Sequence, residues 1–515
     1  MFKIQGIRTA FLLLLIPMLW SSCRKDFDYA PSMGNLQFSK DTVYLDTVFS
    51  AISSSTYTLK VFNKSKKDLK IPNIRLKKGE NSSYRLNVDG VAGNTFVDIP
   101  ILAKDSLYIF IENTLDISDG AQKDFLSTDA ILFDSGAYEQ QVELVTLIRD
   151  ATFLYPEKFD QGSTESFVLP SEENAPSSMQ AYQLPDNLLQ FTNDRPYVIY
   201  GYILIGPDKT LVMEAGTRVF LHKNSGIIIG KRAHLRVNGV LSENSDLLEN
   251  EVILEGDRLE PTFAEIPGQW GTLWLTSDSK GADINYLTIR NATNGMLVDG
   301  TNTANTPTLT IKNSQIYNSS NSNLWARTGS IKGENLVLGN SGISSLKCEL
   351  GGSYHFVHCT MANYFSYGFR SGPAVHLSNF LTSDQGEVFR KDLKEASFDN
   401  CIVTGSGSGE LDLRSMDSAL FNFYFNHSLI TSNTTVTNQD NPYYNFDNEI
   451  FYNNIILNLD PNFKDRSKND FRIGSMSSGI NKADRNKAVL VPLDLMGFDR
   501  TDSPDIGAYQ FISEN

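Results

Sequence analysis

Eight six-residue segments of one pattern recur between Ile284 and Leu457: INYLTI at 284, IKNSQI at 311, GENLVL at 333, FVHCTM at 356, LSNFLT at 377, FDNCIV at 398, FNHSLI at 425 and YNNIIL at 452. Their starts lie 27, 22, 23, 21, 21, 27 and 27 residues apart. A period of that size is one turn of a solenoid, in which each turn buries its apolar side chains only by stacking on the last. Closely spaced β-type runs such as VIYGYILIG and TRVFLHKNSG, with no helical pattern between them, carry the coil back to about Arg195.

Within each copy the first, fourth and sixth positions are mostly large and apolar, as in Phe398, Cys401 and Val403. They cannot all face inward on a straight strand, because side chains alternate with period two. The strand must therefore turn a corner, and the third position is where it turns. Tyr286, Asn313, Asn335, His358, Asn379, Asn400, His427 and Asn454 stand there. Asparagine tolerates the left-handed backbone of a one-residue corner, and its amide can reach the asparagine one rung away. This row resembles the asparagine ladder of right-handed parallel β-helices. The implied fold is all-β: a right-handed parallel β-helix over 195–515.

The ending DFRIGSMSSG…DSPDIGAYQF closely resembles the last segment of bacterial β-helix repeat proteins, with Gln510 where DIGAYE has a glutamate. The resemblance implies a C-terminal cap, expected to cover the open edge of the last rung. Position five should face outward, yet it reads Val337, Thr360, Leu381, Ile402, Leu429 and Ile456. An apolar outer stripe of that length predicts a cover: long loops, the segment before the helix, the N-terminal domain or another protein.

The first 22 residues read as a secretory signal, with Lys3 and Arg8 ahead of an apolar run, Ala10 to Trp20, that is too short to span a bilayer. Ser21, Ser22 and Cys23 resemble a bacterial lipobox; Trp20 replaces the usual leucine, as in the looser lipoboxes of Bacteroidota-type lipoproteins. The resemblance implies lipidation at Cys23, a tether over 23–35 and a membrane partner reached through the lipid anchor. RKDFDY resembles the acidic signals that send such proteins to the outer face of the outer membrane, with the periplasmic face as the alternative. Over 36–150, alternation such as Leu59 and Val61 against Thr58 and Lys60 predicts a small antiparallel β-sandwich. It resembles the Ig-like domains that precede surface β-helices. The proline-containing stretch 151–194 reads as a linker or strap.

With 60 acidic against 45 basic residues and a net charge of −15, the chain should repel nucleic acid and anionic lipid. Three cysteines beyond Cys23, at 348, 359 and 401, give no disulfide framework and read as buried, inert thiols.

No catalytic set stands out. Glu334 and Asp399, outward at position two, count as three rungs apart, roughly 14 Å, beyond the spacing of about 5–10 Å that a hydrolytic pair needs. Glu410, Asp412 and Arg414 alternate onto one face of a loop strand and could grip a sugar or Ca²⁺, the one cofactor the sequence suggests. Lys231 and Arg232, beside His234 and Arg236, form the one basic cluster. Tyr364, Tyr367 and Arg370 form an aromatic loop suited to stacking on sugar. The remaining histidines have no metal-ligand spacing. The expected function is binding of a polysaccharide or a surface protein without catalysis. A polysaccharide lyase or glycoside hydrolase, signalled by a groove with Lys or Arg beside two or more carboxylates, and a passive stalk are the alternatives.

Overall fold

The computed structural model describes residues 29–513 apart from 51, 115–123, 158–164, 166, 170–176, 180, 301–306 and 434–440. The residues read as signal, lipidation site and tether, up to residue 28, lie outside the described residues. The chain divides between Arg149 and Asp150 into two units.

In the first unit the period-two pattern makes two sheets around one core, where Val43, Leu59, Val61, Ile71, Ile109 and Ile111 are buried. One sheet is antiparallel throughout, with Tyr57–Phe62, Ser106–Asn113 and Tyr84–Val88 at its centre. The other holds Leu69–Leu76, Asp124–Phe133 and Gln140–Arg149. It differs from a purely antiparallel sandwich at two places: Ala30–Pro31 and Thr42–Phe49 pair in parallel with their neighbours.

The second unit is a parallel β-helix. A 19-stranded sheet winds along both sides of the corner, and a nine-stranded parallel sheet forms a further face. The stretch read as a strap contributes strands instead: Thr152–Leu154, Ala181–Gln183 and Gln190–Phe191 pair in parallel with the next turn. Phe191 is fully buried there, so its apolar residues find partners as core rather than as a cover.

The corner is where the repeat puts it. Tyr286, Asn313, Asn335, His358, Asn400, His427 and Asn454 all have φ between 46 and 56°. Asn335 donates to Asn313 at 2.8 Å, Asn400 meets His358 at 2.9 Å and Asn454 meets His427 at 3.3 Å. Inside the corner, Phe356, Phe398, Phe425 and Tyr452 stack in a column with ring centroids 4.4–5.9 Å apart. Gly333 occupies the same column because a Cβ there would lie 2.6 Å from the Phe356 ring. Cys348, Cys359 and Cys401 are fully buried in this core.

Asn379 is not a ladder residue. His358 pairs with Asn400, 42 residues on, and the intervening LSNFLT copy belongs to the other face. Val375–Ser378 lies in the nine-stranded sheet, and the buried Asn379 amide ties down the loop at Met416 and Ala419. Leu381 likewise leaves the stripe, for a two-stranded hairpin with Val388–Arg390.

The C-terminal segment covers the apolar stripe along the flank, as far as Ile456 of the last copy. Val337 packs with Phe471, Leu495, Ala508 and Tyr509, and Ile402 and Leu429 pack with Ile473 and Ile506. Gly507 of the DIGAYQ ending, at φ 104°, donates its N–H to Asn400 O at 2.9 Å, and its carbonyl accepts from the His358 ring and the Arg500 guanidinium. Gln510 donates to Ser503 O at 2.8 Å while its oxygen accepts from Asp505 N at 3.1 Å. A glutamate could not make the first of these bonds.

Burial, with the Arg500 charge adding to it, pushes the His358 imidazole well below the ordinary histidine range. The folded state therefore holds His358 neutral, while the unfolded chain takes up a proton below about pH 6.5. Stability contributed by the neutral ring is present above that pH and is lost as pH falls. We expect Tm to drop between pH 7 and pH 5, and H358N, which restores the ladder amide, to flatten that drop. An unchanged slope in H358N would assign the acid sensitivity elsewhere.

Candidate functional site

The outer face of the nine-stranded sheet carries a column of side chains that are half-buried, with His376 buried among them. Its strands are short, with inward Leu and Val alternating with outward residues. Register places Trp274, Leu297, Trp325, Lys347, His376 and Asp412 in one outward column, each opposite the next across neighbouring strands. Asp299, Arg327 and Glu349 run beside it, and Arg414 continues that side.

These groups fix one another. The Trp274 indole donates to Asp299 at 2.8 Å and the Trp325 indole to Glu349 at 3.0 Å. Arg327 forks onto Asp299 at 2.6 and 2.7 Å. Lys347 lies 4.6 Å from the Trp325 ring centre and 3.0 Å from Glu349. His376 bonds Asp412 at 2.8 Å, and Arg414 meets the same carboxylate at 2.8 Å. Burial raises the Asp412 carboxyl, but His376 and Arg414 outweigh it and hold it below the ordinary carboxylate range. Trp274 packs on Ile228 and Leu204, so its end of the face is apolar and the Asp412 end is charged. Both indoles remain part exposed.

Asp412 and Arg414 thus lie on this face, while Glu410 does not. Its side chain is fully buried and accepts from Arg370 at 2.6 Å, Ala374 N at 2.8 Å and Gly407 N at 2.6 Å. Arg370 also donates to Gly372 O at 2.9 Å and to Asn363 O. Glu410 and Arg370 are a buried loop clamp, with no open position for a sugar or Ca²⁺. Among the described residues no group of three or more His, Cys, Asp or Glu is arranged to hold a metal.

Tyr364 packs against Phe463 under Arg466, so it belongs to the covered flank; Tyr367 stays exposed in the loop. Arg232 forks onto Asp208 at 2.7–3.1 Å beside Lys280, and Lys231 faces solvent next to it. The basic cluster is therefore a set of exposed ion pairs, apart from the indole column.

A concave surface lies on the other sheet, a groove of about 790 Å³ walled by the short helix Arg485–Ala488. It corrects the distance between Glu334 and Asp399. Glu334 pairs with Val357 and Val357 with Asp399, so two strand spacings of about 4.8 Å separate them, roughly 9.6 Å. Both are engaged, however: Asp399 with Lys487 at 3.0 Å and Asn426 at 3.0 Å, Glu334 with Lys312 at 2.8 Å. His355 stands over Ser397 at 3.0 Å and Glu395 at 3.4 Å in the same groove.

Trp274 and Trp325 were not legible as a pair. Their strands carry no corner residue, and irregular loops separate them, so no sequence period aligns them.

No family model matches the chain, and no curated protein matches it. Among solved structures, a PapD-like domain of human CEP192 is 9% identical over 24% of this chain and 91% of its own, with a TM-score of 0.16. The E. coli chaperone DraB is 11% identical over 24% of this chain and 58% of its own, with a TM-score of 0.17. A family 123 glycoside hydrolase from Clostridium perfringens is 7% identical over 24% of this chain and 30% of its own, with a TM-score of 0.16.

Proposed function

We propose that the chain is an exported lipoprotein of Bacteroidota type, anchored through Cys23 and displayed at the cell surface, whose β-helix binds carbohydrate without cleaving it. The observation that supports the reading is the column with two part-exposed indoles, each fixed at its N–H edge by a carboxylate. Indole rings stack on the apolar faces of sugars, and hydroxyls find donors and acceptors in the neighbouring charges. The lipid anchor would hold such a face where polysaccharide arrives from outside.

A second reading, cleavage of an acidic polysaccharide, is favoured by the groove, where Lys487 stands beside Asp399 and Glu334 lies two strands away. Retardation of the chain in gels cast with a polysaccharide panel, with ultraviolet detection of unsaturated product and a reducing-end assay, separates the two. We expect retardation without product. Product formation supports the groove instead, and the absence of both across the panel overturns the carbohydrate reading in favour of a protein partner.

A further inference from the structure

We propose, building on the carbohydrate reading, that the ligand is an uncharged linear polysaccharide lying along the helix axis, with Trp274 and Trp325 as its two stacking platforms. Three observations lead there. First, Trp274, Leu297 and Trp325 occupy successive strands of one column, so the indoles lie two strand spacings apart, roughly 9.6 Å. That distance is about the length of two sugar rings in an extended chain, so alternate rings would meet an indole with Leu297 as an apolar floor between. A branched or compact glycan would not hold both platforms at once.

Second, the charges on the face cancel. Asp299, Glu349 and Asp412 are each ion-paired with Arg327, Lys347 or Arg414. Among the described residues of this face Arg327, Lys347 and Arg414 are all paired, and the protein as a whole carries −15. An acidic polymer would have to break these pairs and approach against the overall field. A neutral one leaves the ion pairs in place, and to stack on Trp325 it shares that ring with the Lys347 ammonium and the Arg327 guanidinium, 4.6 and 5.4 Å from its centre.

Third, the platforms are preorganised. The indole N–H bonds to Asp299 and Glu349 hold both rings before any ligand arrives, which reduces the ordering cost of binding. From Trp274 to Asp412 the column spans five strand spacings, roughly 24 Å, so affinity should grow with chain length and level off at about five rings.

The test uses the chain from Cys23 to Asn515 and calorimetric titration with β-1,4-linked glucan, mannan and xylan oligomers of two to six rings, alongside polygalacturonate and alginate. At least one neutral series should bind more tightly with length, with little dependence on salt. W274A and W325A should each weaken it at least tenfold, and W325Y, which keeps a ring, should retain part of the affinity whether or not W325A folds. Binding confined to the acidic polymers and weakened by salt overturns the neutral ligand while leaving the carbohydrate reading in place. Neutral binding that both tryptophan variants leave unchanged overturns the site. No binding to any polysaccharide overturns both.

Discussion

Deleting residues 461–515 is expected to turn the chain into an aggregating species, although the deletion removes no rung of the helix. The segment buries Val337, Ile402 and Leu429 from outside and contributes Phe471, Ile473, Leu495 and Ile506 to the same clusters. Burial of side chains of this kind is worth about 1.5–3 kcal/mol each. Without it, a continuous apolar flank would face water. Arg500 shows how closely the segment is fitted. Its guanidinium is 1% exposed and donates to Asn335 at 3.0 Å, Gly507 O at 3.1 Å and Ala508 O at 3.2 Å, while burial pushes its pKa down to about 10. R500M, which keeps the stem and removes the donors, should cost about 3–5 kcal/mol by urea denaturation, because Asn335 and two buried carbonyls lose their donor while the buried Asp494 and Asp505 lose a neighbouring positive charge. A truncated chain that stays monomeric, with an unchanged melting curve, would show that something else protects the flank. G339A offers a milder probe: a Cβ at 339 would sit 2.3 Å from the Phe471 ring and should lift this end of the cover.

Arg370→Ala should be nearly as damaging, for a different reason. Glu410 is fully buried, and its carboxylate is held by one guanidinium and two backbone N–H groups. Removing the cation leaves a buried charge with half its compensation, a loss of about 3–5 kcal/mol. In a double-mutant cycle, E410Q added to R370A should recover part of that loss, because the buried group is then neutral. A change below about 0.5 kcal/mol in R370A would place the pair in solvent and return the loop to the candidate ligand residues.

The same residues show what a sequence can reveal here. The corner was readable because three apolar positions cannot share a straight strand, so the third position had to bend; seven of the eight residues at that position do so. The eighth, Asn379, misled because a strand of the opposite face happens to end in Leu-Ser-Asn, which matches the repeat's apolar first position and asparagine third. That error carried over to Glu334 and Asp399, set one strand too far apart and dismissed as a pair. The apolar stripe showed that a cover was needed but not which segment supplies it, since any apolar run of sufficient length fits that requirement. Glu410 read as a candidate ligand residue because its partner Arg370 is 40 residues away in sequence. The tryptophans follow no period, because the irregular loops between their strands place no constraint on spacing. Only strand register brings them into one column.

The proposed carbohydrate site is tested most directly by the protein's own fluorescence. From Cys23 onward the chain holds three tryptophans: Trp270, 1% exposed in the core, and the two platforms, Trp274 and Trp325. Acrylamide quenching should fall on saturation with a neutral polysaccharide, because the sugar covers both platform indoles. In the W274F/W325F variant only Trp270 remains, and its weak quenching should not respond to the ligand. Full binding with quenching unchanged in the native chain, or an equal response in the variant, would place the carbohydrate elsewhere on the molecule.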